Sequence, residues 1–406
     1  MAEIRKLETW QEWLESDRIV ATAFLHDWDE KKATEQFQAE ANGEKPRVDT
    51  TWGLFNDEGK MMSTIVTCPA RLTFEGQLFD CDEVHMVGSL PENRGGGNIR
   101  KMMDVVLHAF KEKGDPFAIL MPFSFVFYRK FGFEGAECEM IQKAKISQFA
   151  PFSCDLDVHQ VDCQEDVDQV RALYERHQLK RNLGEMKTDH DWQYRGGGEF
   201  GERDWWYGDK RHYTYLFRDE EGQAQAYFTF LFNNGPEGPF VGSMEVIDIA
   251  FENPEALRSI FGFIYGMRAK ITEVKITLPR ELDLGVILPE GDDVERTIRG
   301  HQMARVLDVE KVLMMLRHPE EEGSYRIHIE DKFMPENTGT YEVDFAGGRA
   351  MAVNKTGEPA DLAVTEETFL QMAIGLTDLE LARYREGTKV YANEKVLKAV
   401  FRRKML

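Results

Sequence analysis

The strongest candidate for a chemical site in this chain is a glycine-rich loop within residues 84–100, which read VHMVGSLPENRGGGNIR. Three consecutive glycines at 95–97 leave few side chains to block a ligand from the loop backbone. Apolar residues at helical spacing follow, which predicts a helix over residues 98–110. The first turn of a helix presents unpaired N–H groups and the positive end of the helix dipole. With Arg94 and Arg100 beside it, the loop predicts a binding site for a pyrophosphate group.

The same letters, Arg-Gly-Gly-Gly, occur again at residues 195–198. No apolar strand leads into this second copy, and no amphipathic helix leaves it. We therefore expect residues 195–198 to form an ordinary loop, and we assign the site to the first copy because only its context fits.

The elements around the first copy must position it. Val84, Met86 and Val87 are apolar and predict a buried strand before the loop. After the helix, the apolar run at residues 117–121 has the length of a strand. Residues 124–131, SFVFYRKF, then predict a short helix. The predicted order is strand, glycine loop, helix, strand and short helix.

This order resembles the GNAT N-acetyltransferases. The resemblance rests on PENRGGG at residues 91–97, which contains the R-x-x-G core, and on FYRKFGF at residues 127–133. Ile99 stands where the general family pattern has a small residue. A narrower branch, with P-x-x-R-x-x-G-x-x-R followed later by Y-x-x-F-G, accepts this residue.

The length of 406 residues and the C-terminal third extend the resemblance. The pattern D-x-x-x-P-x-N-x-G at residues 331–339 is similar to sterol carrier protein-like domains. The whole chain is thereby similar to the Eis (enhanced intracellular survival) family. This implies an α+β protein with a GNAT domain at 1–150, a degenerate GNAT-like domain without a CoA loop at 151–290, and a sterol carrier protein-like domain at 291–406.

The resemblance implies acetyl-CoA as the acyl donor. It places the CoA contacts on two strand ends and on the glycine loop with the start of its helix. The implied contact residues are Val87, Gly88, Ser89, Arg94, Gly95, Gly96, Gly97, Asn98, Ile99, Arg100, Phe123 and Ser124.

The resemblance also implies two catalytic groups. Tyr128 is the expected general acid, since an ordinary tyrosine pKa of about 10 keeps the phenol protonated at neutral pH. The expected base is the α-carboxylate of Leu406, which needs burial or a water relay because a free α-carboxyl is a weak base. Glu83 and Glu92 are alternative bases. Without the family pattern, Tyr128 among its phenylalanines would read as a core residue, and the C-terminus as a frayed end.

Composition limits the classes of partner. The net charge of −22 disfavours nucleic acid as a partner and agrees with a cationic amine as a substrate. Many acidic proteins, however, do not use their charge to attract a substrate. Five cysteines without a C-x-x-C pair predict neither a disulfide framework nor a metal site, and they suit a cytoplasmic protein. We expect no membrane span. The family resemblance implies a homohexamer.

Two functions follow as hypotheses. The first is an enzyme that transfers acetyl from acetyl-CoA to a primary amine of an aminoglycoside-like or polyamine-like molecule, or to a lysine. The second is a regulatory protein that senses acyl-CoA, or binds a lipid or a protein, without turnover.

Overall fold

The computed structural model describes residues 3–136, 139–197, 199–201, 211–236 and 238–404. The described chain has an α+β fold with three large sheets and one small two-stranded sheet. It forms two compact units. The first consists of residues 3–72, Leu78–Ala136 and His301–Arg403, and the second consists of Thr73–Gln77, residues 139–300 and Lys404.

The strands begin with β1 (Glu3–Lys6), β2 (Thr50–Phe55), β3 (Met61–Phe74), β4 (Gln77–Ser89), β5 (Phe117–Leu120), β6 (Glu134–Gly135) and β7 (Glu139–Lys145). They continue with β8 (Asp157–Gln160), β9 (Tyr194–Gly196), β10 (Glu199–Phe200), β11 (His212–Arg218), β12 (Ala224–Gly235), β13 (Gly238–Phe251), β14 (Ile271–Pro279) and β15 (Glu295–Arg299). They end with β16 (Met303–Val306), β17 (Gly323–Glu330), β18 (Gly339–Ala346), β19 (Arg349–Thr356), β20 (Leu362–Thr365) and β21 (Lys389–Val390).

The α-helices are α1 (Trp10–Phe24), α2 (Glu30–Ala41), α3 (Asn98–Lys113), α4 (Phe125–Tyr128), α5 (Gln164–Gln178), α6 (Pro254–Gly266), α7 (Leu284–Ile287), α8 (Val309–Met315), α9 (Glu366–Ala373), α10 (Leu379–Ala382) and α11 (Glu394–Val400). Short 3-10 turns occur at Pro91–Asn93, Arg129–Phe131, Ile146–Phe149, Asp189–Trp192, Gly291–Asp293 and Pro335–Asn337.

The larger sheet of the first unit has the strand order β1-β2-β3-β4-β5-β16-β6. Its β4 and β5 run parallel and are joined by α3. The apolar stripe of α3, which includes Met103 and Val106, packs with Leu54 in one core. Phe55 packs with Ile19 of α1 in a second core, because neighbouring residues of a strand point to opposite faces of the sheet.

The first unit also contains a five-stranded sheet with the order β19-β18-β17-β20-β21. Its strands β17 and β18 alternate buried residues with mostly half-buried ones, as a sheet with one covered face does. Helix α9 contributes Phe369 and Leu370, which are fully buried. These strands and helices form the C-terminal third that the sequence predicts.

The sheet of the second unit has the order β15-β7-β14-β13-β12-β11-β8. Here β13 and β14 run parallel and are joined by α6. The plan is the same as that of the first unit, with β13, α6 and β14 in the roles of β4, α3 and β5. Phe228, Ile260 and Val274 are fully buried in its core.

The chain passes between the two large sheets twice, once between β6 and β7 and once between β15 and β16. Strands β6 and β7 are consecutive in the sequence, yet β6 lies in the first sheet and β7 in the second. Likewise β15 lies in the second sheet, whereas β16 is inserted between β5 and β6 in the first. Two strands, β7 from the predicted 1–150 domain and β15 from the predicted 291–406 domain, therefore pair in the sheet of the middle domain.

Two local expectations need correction, and one helix was missed. Residues 194–196 pair with Glu199 and Phe200 as a small hairpin instead of an ordinary loop, with Gly198 outside the described residues. Met86 is 42 % exposed, although the sequence predicts it to be buried. Helix α2 was not predicted, because none of its side chains is buried and it lacks the apolar periodicity that reveals a helix.

Candidate active site

The N-terminus of α3 is open to a ligand. Its N-cap is Gly97, which has φ of 75° and makes no side-chain hydrogen bond to the helix. Gly95 also has a left-handed φ, of 84°, which glycine adopts without strain. The first backbone bond runs from Lys101 N to Gly97 O over 3.1 Å. The N–H groups before Lys101 therefore have no acceptor within the helix, and an anion fits there.

Two arginines lie beside this N-terminus. Arg94 Nε donates to Ser89 O over 3.3 Å, and Arg100 Nη1 donates to Lys130 O over 3.2 Å. The Arg100 guanidinium also lies 4.9 Å from the centre of the Phe333 ring. Both positive charges are held next to the glycine loop, where they favour a phosphate.

The other predicted loop residues shape its backbone. Asn98 Nδ2 donates to Asn93 O over 3.1 Å and ties the start of the helix to the loop. A Cβ placed on Gly96 would meet only Asn98 Oδ1, at 3.7 Å. Ile99 is half-buried against the core. These residues offer a ligand their main chain more than their side chains.

Strand β4 separates from β5 before it reaches the loop. The last pair in their register is Val84 with Leu120. Strand β5 ends there, whereas β4 continues to Ser89. Residues 86–89 extend beyond the last pair with β5, and a chain of amide groups can lie along this edge as an added strand does.

The side chains at the end of β4 serve packing. Val87 is half-buried against the core. A Cβ on Gly88 would lie 3.4 Å from Cα of Val20, so glycine allows the close approach of α1. Ser89 Oγ shares a hydrogen bond of 2.6 Å with Ser63 Oγ. These three predicted residues can thus offer a ligand only their backbone.

Tyr128 ends α4 within an aromatic cluster. It is 3 % exposed, and its ring centre lies 5.4 Å from that of Phe123, 5.1 Å from Phe127 and 6.2 Å from Phe133. Its hydroxyl makes no hydrogen bond to a described residue. Burial raises the pKa of Tyr128 to about 12. The phenol is therefore neutral at physiological pH and is available as a hydrogen-bond donor.

Phe123 and Ser124, the predicted contacts after β5, have different surroundings. Phe123 is exposed and packs on Phe127 with ring centres 5.1 Å apart. Ser124 is the N-cap of α4, and its Oγ accepts from Phe127 N over 3.3 Å. Ser124 thus fixes the short helix that presents Tyr128.

The predicted base, the carboxylate of Leu406, lies outside the described residues. Of the alternatives, Glu92 is exposed. Glu83 lies on β4 with a side chain that is 12 % exposed, and its Oε2 is 2.9 Å from Nε2 of His85. This pair is located where β4 leaves β5, next to the open edge.

Sequence reasoning missed the charged residues around the turn that follows Tyr128. Glu134 is 3 % exposed and accepts hydrogen bonds from Arg129 and Arg385, over 2.8 and 2.9 Å. Arg305 is fully buried and donates to Phe131 O. The available signal was an arginine inside the apolar run at residues 303–307, because a charge in a buried strand requires a partner.

The corresponding helix of the second unit is unsuited to a pyrophosphate. Asn253 Oδ1 caps α6 by accepting from Ala256 N over 2.8 Å. Glu255 lies in its first turn. A cavity of about 440 Å³ at this end is also lined by Asp155 and Asp219. Pro254 has no N–H, the N–H of Ala256 is capped and the surroundings are acidic, all of which opposes an anion.

One group of residues in the described parts of the chain has the spacing of metal ligands, namely Asp162, Cys163 and Asp166. Asp166 is already engaged, since its Oδ1 accepts from Arg218 over 2.6 Å and contacts His159 at 3.1 Å. A protein cation thus balances the buried carboxylate of this group.

Comparison with known families assigns these regions. The acetyltransferase (GNAT) domain family matches residues 3–136, and a second GNAT domain family matches residues 187–306. The sterol carrier protein domain family matches residues 309–402. The second match includes β16, which pairs in the sheet of the first unit. A search of curated proteins gives no significant match.

Several solved structures share the fold over the whole chain. A probable N-acyltransferase from Enterococcus faecalis V583 is 19% identical, with a TM-score of 0.80 over 100% of this chain and 99% of that one. A GCN5-related N-acetyltransferase from Anabaena variabilis is 19% identical, with a TM-score of 0.78 over 99% and 97%. Eis1 from Mycobacterium abscessus is 15% identical, with a TM-score of 0.78 over 100% and 98%. At these identities the likeness is one of fold.

The chain thus contains two GNAT acetyltransferase domains followed by a sterol carrier protein domain, which confirms the architecture that the sequence predicts. It is a GNAT-type enzyme that transfers an acyl group from an acyl-CoA to an acceptor. No helix in its described residues has both the length and the apolar character needed to cross a membrane.

Proposed function

We propose that this protein transfers acetyl from acetyl-CoA to a primary amine of a cationic small molecule, either aminoglycoside-like or polyamine-like, or of a lysine. The observation that carries the proposal is the meeting, in the first unit, of an uncapped helix N-terminus, an open strand edge and a neutral buried phenol. These are the parts that bind the two ends of an acyl-CoA and stabilise its leaving group.

The proposed donor site runs from the helix to the strand edge. The pyrophosphate takes the N–H groups of residues 95–100, with Arg94 and Arg100 as counter-charges. The pantetheine amides pair with the backbone of residues 87–89. Phe123 and Ser124 line the opposite side, where β5 ends. The same backbone N–H groups near Ser89 polarise the thioester oxygen.

The reaction is a direct attack. The neutral amine nitrogen attacks the thioester carbon, the C–N bond forms, the C–S bond breaks, and the CoA sulfur leaves as a thiolate. The proton that the nitrogen loses on becoming an amide is passed to this thiolate, which gives free CoA. Tyr128 donates to this sulfur. Because the pKa of Tyr128 is about 12 and that of a thiol is about 8.5, full proton transfer is uphill. We assign to the phenol chiefly the stabilisation of the developing thiolate by a hydrogen bond.

The amine must lose its proton before it attacks. We propose the C-terminal carboxylate of Leu406 as the base, as the family resemblance implies. Glu83 with His85 is the alternative, since the pair lies beside the open edge of β4. A carboxylate here also attracts a cationic acceptor, in agreement with the net charge of −22.

Two further expectations accompany the proposal. A homohexamer is implied by the resemblance, and large exposed apolar side chains such as Phe240, Val286 and Tyr384 are compatible with subunit contacts. Cys68, Cys154 and Cys163 are free thiols, which suits a reducing compartment such as the cytoplasm. Sedimentation of the purified protein tests the oligomeric state.

The decisive test follows CoA release from acetyl-CoA with a thiol reagent across a panel of aminoglycosides, polyamines and lysine peptides. We expect turnover with at least one amine and a loss of about 100-fold in kcat for Tyr128→Phe. The matched control is Tyr325→Phe, another buried phenol in the same unit, which must leave kcat unchanged. Acetyl-CoA binding without turnover on any amine would replace the proposal with the acyl-CoA-sensing function.

A further inference from the structure

A fully buried arginine lies against the turn that follows Tyr128. Arg305 belongs to β16, the strand between β5 and β6, and is 0 % exposed. Its Nη1 donates to Phe131 O over 2.5 Å, and its Nη2 donates to Asp331 Oδ2 over 2.6 Å. A charge-assisted fork of this kind holds both of its acceptors in fixed positions.

The turn is shaped to accept this guanidinium. Gly132 has φ of 80° and follows directly after Phe131. A Cβ at Gly132 would lie 1.7 Å from Nη1 of Arg305 and 3.3 Å from Oε2 of Glu366. Glycine at this position therefore serves the close approach of Arg305 as well as the left-handed turn.

The counter-ion of Arg305 is itself fixed. Asp331 Oδ1 accepts from the backbone N–H groups of Phe333 and Met334, over 3.0 and 2.9 Å. Its Oδ2 accepts from Asn337 Nδ2 over 3.0 Å in addition to Arg305. These residues follow β17 in the five-stranded sheet. The position of the guanidinium is thus set by the sterol carrier protein domain.

Glu366 completes the buried cluster. Its Oε1 accepts from Val306 N over 2.9 Å. Burial raises the pKa of Glu366 well above its usual range, and the nearby Arg305 opposes this rise only in part. Asp331, which accepts the hydrogen bond from Arg305 Nη2, is the direct ion-pair partner of the guanidinium.

A second set of contacts binds the same turn directly to the sterol carrier protein domain. Arg385 Nη2 donates to Glu134 Oε2 over 2.9 Å, and its Nη1 donates to Gln371 Oε1 over 2.7 Å. Gln371 Nε2 in turn donates to Gly135 O over 3.0 Å. Residues 131–135 are therefore bound at both ends by side chains of the C-terminal third.

We propose that Arg305 is a positioning residue for Tyr128, so that the sterol carrier protein domain acts as a scaffold for the transferase site. The inference rests on the proposed role of Tyr128. Arg305 binds the carbonyl of Phe131, and we expect it to act on the reaction only by fixing the backbone that presents the phenol. Its loss therefore lowers kcat and leaves the KM for acetyl-CoA within about two-fold.

The test is a double-mutant cycle with Arg305→Lys and Tyr128→Phe. Lysine keeps the charge but lacks the planar fork that binds Phe131 O and Asp331 together. We expect Arg305→Lys alone to lower kcat about 10- to 100-fold, because small displacements of a catalytic group have effects of this size. In the Tyr128→Phe background the same substitution must have little further effect, since no phenol remains to be positioned.

The control is Leu397→Ala, a cavity variant at a fully buried position of α11 that is not one of the residues hydrogen-bonded to the turn. Assayed below both melting temperatures, it must keep kcat even if its loss of melting temperature equals that of Arg305→Lys. Equal effects of Arg305→Lys in the two backgrounds, or an equal loss of kcat in Leu397→Ala, overturn the inference. If Arg305→Lys does not fold, Asp331→Asn, which loosens the same guanidinium, enters the same cycle.

The cycle also separates this inference from the proposed function. If Tyr128→Phe alone keeps full kcat, the proposed role of Tyr128 has failed. If Tyr128→Phe loses activity while the effect of Arg305→Lys is independent of it, only the positioning role has failed.

Discussion

Asp115 is a buried carboxyl group at the turn between α3 and β5. It is 3 % exposed, and its Oδ2 has no hydrogen-bond partner among the described residues. Lys113 Nζ lies 3.9 Å from Asp115 Oδ1 but only 2.8 Å from Asp82 Oδ2, so the lysine pairs mainly with Asp82. Burial, together with the charge of Asp82, raises the pKa of Asp115 to about 7 against the attraction of Lys113.

This raised pKa makes stability depend on pH in a defined direction. The folded state binds the proton more tightly than the unfolded state, whose Asp pKa is about 3.9. The penalty of ionising Asp115 is therefore absent below pH 4, grows as the pH rises towards 7, and stays constant above that. About three pKa units at about 1.4 kcal/mol each give an upper limit of about 4 kcal/mol.

We predict that Asp115→Asn removes this penalty. The amide is neutral at every pH and has an N–H to donate to Asp82, as a protonated Asp115 does. The variant is expected to match the wild type near pH 4.5 and to be more stable at pH 8.5. With about 2–4 °C per kcal/mol for a unit of this size, the melting temperature rises by several degrees, and by about 16 °C at most.

The assay is calorimetry of both proteins between pH 4.5 and 8.5, following the transition that the substitution moves. Asp80→Asn is the matched control on the same strand, because Asp80 is exposed and its pKa is lowered by Arg71. It must show no gain as the pH rises. A difference between Asp115→Asn and wild type that is the same at pH 4.5 and 8.5 refutes the reasoning.

Three further predictions concern the site. In chemical denaturation, Gly132→Ala must lower the free energy of unfolding by more than about 3 kcal/mol, because the new Cβ collides with a buried guanidinium. The control Gly59→Ala has a similar φ but open space around it, and must lower the free energy of unfolding by only about 1–2 kcal/mol. Deletion of residues 405–406 is expected to lower kcat about 100-fold and Glu83→Gln to lower it little; the reverse result identifies Glu83 as the base. Since the pKa of Tyr128 is about 12, kcat must show no falling limb from this group below about pH 10, and a limb that disappears in Tyr128→Phe would contradict the assignment.

The local elements of the first unit could be predicted from the sequence because their signals are local. The periodicity of α3 and the glycines before it lie within one short segment, and the observed helix starts at Asn98 as predicted. The partner of β16 could not be predicted. This strand has only four residues, Met303–Val306, and it pairs with Phe117–Leu120, far away in the sequence. Alternation of side chains identifies a strand but carries no information on its partner.

The same limit explains why the buried charges were missed. Glu366 sits in the first turn of α9, where an acidic residue is ordinary, and nothing in its neighbours reveals that it is buried beside Arg305. Gly132 reads as a simple turn residue, although the turn also needs the space that its missing side chain leaves. Sites assembled from distant segments become visible only when the strand order is known.

The position of β16 explains why distant segments meet at this site. Strand β16 ends directly before α8 and the five-stranded sheet, so its insertion between β5 and β6 ties the sterol carrier protein domain to the strands that flank Tyr128. Arg305 on this strand therefore reaches the turn after Tyr128 from one side and Asp331 from the other. Changes to the residues that hold Arg305 are therefore expected to alter the geometry of the turn, whereas packing changes elsewhere in the domain are not. The scaffold role that we propose for the domain thus follows from connectivity and needs no lipid ligand.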